Sequence, residues 1–228
     1  MLLGIGLKNY KVYKTLQYIP ISLGSSFSAF LGPNGIGKTS IFEVLDRFFN
    51  GGEWISSNES KKAADDSAYV SPLFFIPVND ISLTKKEKRV ATLLSAYFWD
   101  YSDSAYDPFI KSVLESRDAI TAAGYNRDSH YFFILGNIHQ TNETKIPFFE
   151  NDIKKLFEVQ ADIDFDELKD LLKKVKSHYR YIYLPVEADS LNFSKMESIY
   201  IRKLLDEDIK KKIQDAITKS SIEAINKN

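Results

Sequence analysis

The stretch that decides the fold is Gly32-Pro-Asn-Gly-Ile-Gly-Lys-Thr-Ser40, which contains the complete pattern G-x-x-x-x-G-K-[ST]. An apolar run at residues 27–31 comes directly before it. After it, apolar side chains recur at helical spacing from residue 41 to residue 48, and two glycines at 51–52 end the pattern. This order predicts a strand, a phosphate-binding loop and a helix that begins at the loop.

The loop supplies the chemistry that holds a nucleoside triphosphate. Glycines let backbone N–H groups turn inward around a phosphate, and the helix N-terminus adds the positive end of its dipole. Lys38 is expected to reach the β- and γ-phosphates, and the Thr39 hydroxyl to bind Mg²⁺. The candidate nucleotide-binding residues of the loop are Gly32, Pro33, Asn34, Gly35, Ile36, Gly37, Lys38, Thr39 and Ser40.

The loop sequence resembles the ABC-type ATPases of the AAA family, in particular their SMC- and RecF-like branch and its overcoming-lysogenization-defect (OLD)-like members. Residues 7–13, LKNYKVY, are similar to the opening strand of that branch. The resemblance implies the N-terminal lobe of such an ATPase, with ATP and Mg²⁺ as cofactors. It also implies that Lys11 contacts a nucleotide phosphate and that Tyr13 lies near the base. A solvated strand lysine and a half-buried tyrosine are the alternatives.

A second resemblance covers residues 181–187, YIYLPVE, and the segment that follows. These residues look like a strand and helix in the ATPase subunits of bacterial anti-phage systems such as PARIS and the Septu/retron cassettes. That resemblance implies a role in defence. A buried strand ending at Pro185, followed by a capped helix, explains the same residues without any such role.

Composition excludes several classes of protein. With 30 Lys+Arg against 31 Asp+Glu, the formal net charge is −1, which argues against a polybasic nucleic-acid or membrane-surface module. The absence of cysteine rules out disulfides and thiolate chemistry. No apolar run approaches the ~18 residues that span a bilayer, so we expect no membrane contact and a cytoplasmic location.

The expected fold is α/β: a P-loop lobe with an antiparallel β layer at the N-terminus and a helical or coiled-coil arm at the C-terminus. We expect the lobe over residues 1–190, with a helical insertion at about 80–130, and the arm over 191–228. Strands are predicted at 3–7, 18–23, 27–31, 69–78, 131–138 and 181–186. Helices are predicted to begin near residues 39, 84, 107, 164 and 194.

Two parts of a complete ABC-type site have no counterpart in the sequence. Such a site needs an apolar strand ending in acidic residues, and a serine-and-glycine signature loop from a partner. Asp80 and Glu187 follow apolar runs, but a proline interrupts each run. No catalytic residue is therefore assigned, and we expect half of a site, either a truncated chain or a natural half. Its partner would be a second copy, or a C-terminal-lobe or effector protein.

Other functions stay open. A small P-loop kinase fits the length, although about three strands precede the loop and only six arginines are present. A non-catalytic scaffold using the terminal helices is another alternative. Lysines at 203, 210–212 and 219 suggest DNA contact, but their acidic neighbours favour an ordinary solvated helix. The three histidines show no metal-ligand spacing.

Overall fold

A computed structural model describes residues 1–22, 27–52, 54, 67–102, 107–139, 141, 143–159 and 163–184. The chain divides into two compact units, residues 1–179 and residues 180–228. Only residues 180–184 of the second unit are described, and they contain no helix or strand. The predicted domain boundary at residue 190 and the predicted helical arm at 191–228 lie outside the described residues.

The first unit is built on an antiparallel sheet. Its strands are β1 (Leu2–Lys8), β2 (Gln17–Pro20), β3 (Tyr69–Pro77), β4 (His130–Ile134), β5 (Gly136–Ile138) and β6 (Thr144–Lys145). The order is β2-β1-β3-β5-β6, and β4 pairs with β3 beside β5. Every pairing between these strands is antiparallel. The sheet thus confirms an α/β fold with an antiparallel layer.

The central strand β3 is buried along nearly its whole length, as expected for a strand covered on both faces. Pro72 lies inside this strand. It pairs with Ile5 of β1, and its carbonyl accepts a hydrogen bond from the Leu135 amide. Leu135 separates β4 from β5, so the ladder on that side is already interrupted there. A proline, which has no N–H to donate, is tolerated at such a point.

Among the described residues there are five helices: α1 (Lys38–Asn50), α2 (Lys85–Asp100), α3 (Pro108–Ala122), α4 (Glu150–Val159) and α5 (Glu167–His178). Helix α2 begins close to residue 84, as predicted, and it starts with a capping box in which Thr84 and Glu87 bond each other's backbone amides. Asp107 caps α3 by accepting a hydrogen bond from the Phe109 amide, and Pro108 opens that helix.

Helix α3 packs closely on the sheet because β1 carries glycine where the helix approaches. A Cβ on Gly6 would lie 2.7 Å from the Phe109 ring, so only glycine leaves room for it. The Phe109 ring also meets the Tyr18 ring edge-on at 5.8 Å, and the Tyr18 hydroxyl hydrogen-bonds Ser116 at 2.7 Å. These contacts hold β1 and β2 against α3.

Three strand predictions are corrected. Residues 27–31 form no strand, and Phe27 and Leu31 are 79% and 91% exposed. The predicted strand 131–138 is two strands, broken at Leu135. Residues 181–184 form no strand either, and the rest of that predicted strand is not described. In each case local apolar content suggested a strand, but a strand also requires a neighbour that completes its hydrogen bonds.

Helix α4 was missed by sequence reasoning. Only Ile153 and Phe157 are buried on it, one turn apart, which is a weak periodic signal in a short polar segment.

No helix within the described ranges is both long enough and apolar enough to cross a membrane.

Candidate nucleotide-binding site

The loop between residues 32 and 39 passes through three glycines with positive φ angles. Gly32, Gly35 and Gly37 have φ angles of 152°, 82° and 99°, values that side-chain-bearing residues rarely adopt. Gly37 is the N-cap of α1, so the helix begins at Lys38 and its free N–H groups face the loop. The motif therefore has glycine at 32, 35 and 37 because the backbone adopts positive φ angles there as it turns into the helix.

Lys38 folds back over its own loop. Its ammonium group donates to the carbonyl oxygens of Gly32 and Pro33, each at 2.6 Å. Thr39 is exposed, and Ser40 is buried beneath the loop. The ammonium group and the Thr39 hydroxyl thus stand at the N-terminus of α1, where a triphosphate and its Mg²⁺ would need a positive charge and an oxygen ligand.

A hairpin between β1 and β2 lies against the loop. Its turn is closed by two backbone hydrogen bonds between Tyr10 and Tyr13, of 3.0 and 2.8 Å. Asn9 and Lys11 have φ angles of 56° and 48°, a left-handed conformation that is uncommon outside glycine. The Tyr10 side chain is buried, and its ring meets Trp54 edge-on. The turn is therefore anchored in the core while its tip reaches α1. We call residues 10–13 the hairpin tip.

The hairpin tip touches the last glycine of the loop. The Tyr13 hydroxyl donates to the Gly37 carbonyl at 3.2 Å. A Cβ on Gly37 would lie 2.5 Å from Val12 Cγ2 and 3.0 Å from the Tyr13 ring. Burial raises the pKa of Tyr13, so its hydroxyl stays protonated and remains a donor across the ordinary pH range. Position 37 therefore requires glycine for two reasons: its φ angle is positive, and the hairpin tip occupies the space that a side chain would need.

Lys11 is paired with Glu43 of α1. Both side chains are 24% exposed, so the ion pair is partly shielded from water. Glu43 lies four residues after Thr39, one helical turn further from the loop. The predicted contact between Lys11 and a nucleotide phosphate stays a prediction. The placement of Tyr13 near a base stays one too, and its contact with Gly37 places the ring at the end of the loop.

Apolar side chains surround the loop on the exposed side. The exposed ones on the hairpin tip and on residues 27–42 are Val12, Phe27, Leu31, Ile36 and Phe42. The rings of Phe30 and Phe42 meet edge-on at 5.4 Å, which attaches the segment before the loop to α1. An exposed apolar surface of this kind, next to a polar site, is typical of a surface that contacts another protein.

Asp80 cannot serve the loop. Lys8 at the end of β1 pairs with Tyr69 at the start of β3, so the hairpin tip and the loop lie at that end of the sheet. Asp80 lies beyond the other end of β3. This strand has nine residues, so it is about 30 Å long at ~3.4 Å per residue. No acidic side chain in the described ranges forms an ion pair with Lys38.

The three histidines pack against aromatic rings. His130 stacks on Phe75 at 4.3 Å and His139 on Trp54 at 5.0 Å, while His178 meets Tyr179 edge-on. Within the part of the chain that the structure describes, no group of three acidic, histidine or cysteine side chains could hold a metal ion.

Sequence reasoning missed Val12 and Glu43 as parts of the site. Neither belongs to the motif, and the signal that could have found Glu43 is weak: a glutamate four residues after Thr39, on the same helix face. Its partner Lys11 lies 32 positions away in the chain. Val12 contacts Gly37 only because the hairpin folds over the loop.

No curated protein matches the chain. A family model described as AAA ATPase domain matches residues 1–228, the whole sequence. This match is consistent with an ABC-type lobe of the OLD/SMC/RecF-like kind that the loop sequence resembles. The chain belongs to the AAA ATPase domain family.

Proposed function

We propose that the chain binds ATP with Mg²⁺ at residues 32–40, and that the bound nucleotide controls its assembly with a protein partner. The observation that carries the proposal is the loop itself: three glycines in positive φ, Lys38 over the loop and Thr39 at the start of α1. In this arrangement the loop N–H groups and Lys38 hold the phosphates, and Thr39 provides an oxygen for Mg²⁺.

Control of assembly is supported by the apolar surface around the loop. Phe27, Leu31 and Ile36 are exposed beside the same residues that would hold the nucleotide. A ligand that orders this segment would change the surface presented to a partner, and the partner in turn would shield the nucleotide from water. A second copy of the chain, or a complementary lobe with an acidic strand end, fits this surface.

Hydrolysis requires a group that the described residues do not place at the loop. A carboxylate must orient or deprotonate the attacking water, and Asp80 lies at the opposite end of β3. We therefore propose that the partner supplies this carboxylate, and that the chain alone binds nucleotide with little turnover. A role in anti-phage defence rests on the resemblance at residues 181–187 and stays a prediction.

The kinase alternative has less support. Phosphotransferases clamp two phosphate groups with several arginines. Two of the six arginines are engaged elsewhere: Arg117 donates to the Trp99 carbonyl, and Arg127 pairs with Asp100 at 3.0 Å. Arg47 lies next to Asp46 at the far end of α1. Nothing in these contacts directs an arginine toward the loop.

Nucleotide binding is tested by isothermal titration calorimetry with ATP, ADP and AMP, each with and without Mg²⁺. We expect ATP–Mg²⁺ to bind most tightly and Lys38→Ala to abolish detectable binding. Lys111→Ala, on the exposed face of α3, is the matched control and should bind like the wild type. Absence of ATP binding by the wild type, or equal binding by Lys38→Ala, would disprove the proposal.

Assembly is tested by sedimentation velocity of the 26.1 kDa chain with ATP–Mg²⁺, with ADP–Mg²⁺ and without nucleotide. We expect ATP to shift the chain toward a dimer, and Phe27→Ser with Leu31→Ser, both exposed and outside the loop, to prevent that shift while leaving ATP binding intact. An unchanged monomer under all three conditions would show that a second copy is not the partner. A candidate complementary lobe would then be tested in the same way.

A further inference from the structure

We propose that Glu43 is a positioning residue for the nucleotide site: through its ion pair with Lys11 it holds the hairpin tip down on the phosphate loop. The inference rests on the proposed function, because it concerns the same loop. It gives Lys11 a different role from the one that the family resemblance implies, which is direct contact with a phosphate.

Three contacts connect the hairpin tip to the start of α1. Lys11 pairs with Glu43, the Tyr13 hydroxyl donates to the Gly37 carbonyl at 3.2 Å, and Val12 fills the space that a Gly37 side chain would need. Two of these contacts hold Gly37, where the loop turns into α1, and the third holds Glu43 on the helix itself. The ion pair is the only one of the three that includes a side chain beyond the first helical turn.

The partner of the Lys11 ammonium group favours a positioning role for Lys11 over direct contact with a phosphate. Phosphate groups would lie at the N-terminus of α1, beside Lys38 and Thr39. Glu43 lies four residues past Thr39, which is about 6 Å further along the helix axis at 1.5 Å per residue. The Lys11 ammonium group is therefore held by a side chain of the second helical turn, whereas Lys38 and Thr39 belong to the first.

The conformation of Lys11 supports the same interpretation. Its φ angle of 48° is left-handed, a conformation that costs free energy for a residue with a side chain. The surrounding contacts must maintain it, and the tip supplies two kinds: the Tyr10–Tyr13 backbone hydrogen bonds and the Glu43 ion pair. Loss of the ion pair leaves the turn closed but removes the contact that ties its tip to the second turn of α1.

The test is a charge-exchange series on Lys11 and Glu43, with dissociation constants for ATP–Mg²⁺ and ADP–Mg²⁺ measured by calorimetry. Glu43→Gln should raise the dissociation constant about fivefold, the upper range for a partly exposed ion pair. Lys11→Glu should raise it further, since two carboxylates then repel each other. The double variant Lys11→Glu with Glu43→Lys restores the pair in reverse and should return to within about twofold of the wild type.

The double variant separates positioning from direct contact. If Lys11 contacts phosphate, the exchanged pair leaves a glutamate facing the nucleotide, and binding stays as weak as in Lys11→Glu. That result would overturn the inference. So would Glu43→Gln binding like the wild type, or more tightly. Glu43→Asp, which keeps the charge on a shorter side chain, should lie between Glu43→Gln and the wild type and serves if Glu43→Gln fails to fold.

A matched control is the pair of Lys145 and Glu150, whose side chains are 28% and 24% exposed. It is as shielded as the Lys11 pair but lies between β6 and α4. Glu150 also pairs with Lys154 at 2.7 Å, so Glu150→Gln should lower the melting temperature by at least as much as Glu43→Gln and leave ATP binding unchanged. Failure of the wild type to bind ATP would disprove the proposed function, whereas binding by the wild type with no effect of Glu43 variants would disprove this inference alone.

Discussion

The Tyr13 hydroxyl donates a hydrogen bond to the Gly37 carbonyl at 3.2 Å, which joins the first hairpin of the chain to the last glycine of the phosphate loop. The carbonyl belongs to the N-cap residue of α1. The contact therefore holds the residue at which the loop becomes a helix, and it is made by a strand connection 24 positions earlier.

Tyr13→Phe removes this hydrogen bond and keeps the ring. We expect ATP affinity to fall about three- to tenfold, the range that corresponds to one neutral hydrogen bond, with little change in the melting temperature. Tyr97→Phe is the control, because its hydroxyl bonds Asp152 at 3.1 Å on the exposed side of α2. Equal affinities for Tyr13→Phe and the wild type would show that the hydroxyl does not hold the loop.

Gly37→Ala should be far more harmful to nucleotide binding than to folding of the rest of the lobe. The new Cβ would lie 2.5 Å from Val12 Cγ2, and φ is 99°. We expect the hairpin tip to be displaced and ATP binding to be lost. Gly124→Ala is the control, since its φ of 90° imposes similar strain in open space after α3. It should lower stability and leave calorimetric binding unchanged.

Thr84→Ala removes one half of the capping box that begins α2. We expect a loss of about 1 kcal/mol in the free energy of unfolding, and a melting temperature lower by about 2–4 °C for a domain of this size. Chemical denaturation and calorimetry measure both. Thr92→Ala, in the exposed middle of the same helix, should not destabilise, because alanine favours helix interiors.

Lys176 makes stability depend on pH. Its ammonium group lies 4.0 Å from the Phe48 ring centroid and 3.4 Å from the Asn137 side-chain oxygen, and burial lowers its pKa from 10.5 to about 8. Between pH 8 and 10.5 the unfolded chain binds more protons at this site than the folded chain, so its contribution to stability rises with pH in that window. Below pH 8 Lys176 is charged in the folded chain, and the cost of burying that charge lowers the free energy of unfolding by its full amount.

Lys176→Met should therefore stabilise the protein at pH 7 and gain less at pH 9.5. The measurement is the difference in unfolding free energy between variant and wild type at the two pH values. Lys173→Met, exposed on the same helix, should show no such dependence. Above pH 10 the trend reverses for all variants, because burial raises the pKa of Tyr18 to about 12. An equal effect of Lys176→Met at both pH values would contradict the prediction.

Much of the fold follows from local sequence patterns. Helices α2 and α3 begin close to residues 84 and 107, as predicted, since the residues that start a helix lie only a few positions apart. The buried face of α5 follows from its 3.6-residue period. Residues 27–31 show the limit of such patterns: their apolar content predicts a strand, but the described sheet places no strand beside them.

The candidate site was predictable only in part for the same physical reason. The motif predicted the glycines, Lys38 and Thr39 because their roles depend on adjacent backbone. The Lys11–Glu43 and Tyr13–Gly37 contacts join residues 32 and 24 positions apart. Which side chains meet across such separations is decided by how β1, the hairpin tip and α1 pack together.

Strand β1 is the direct continuation of the hairpin tip, and its inner residues are fully buried between β2 and β3. The loop is thus fastened on one side to a buried inner strand of the sheet and on the other to the exposed segment 27–31. A ligand that reshapes the loop meets resistance from the sheet and little from that segment. We expect the movement to pass outward, so hydrogen exchange on nucleotide addition should change in residues 27–36 and stay constant in β1.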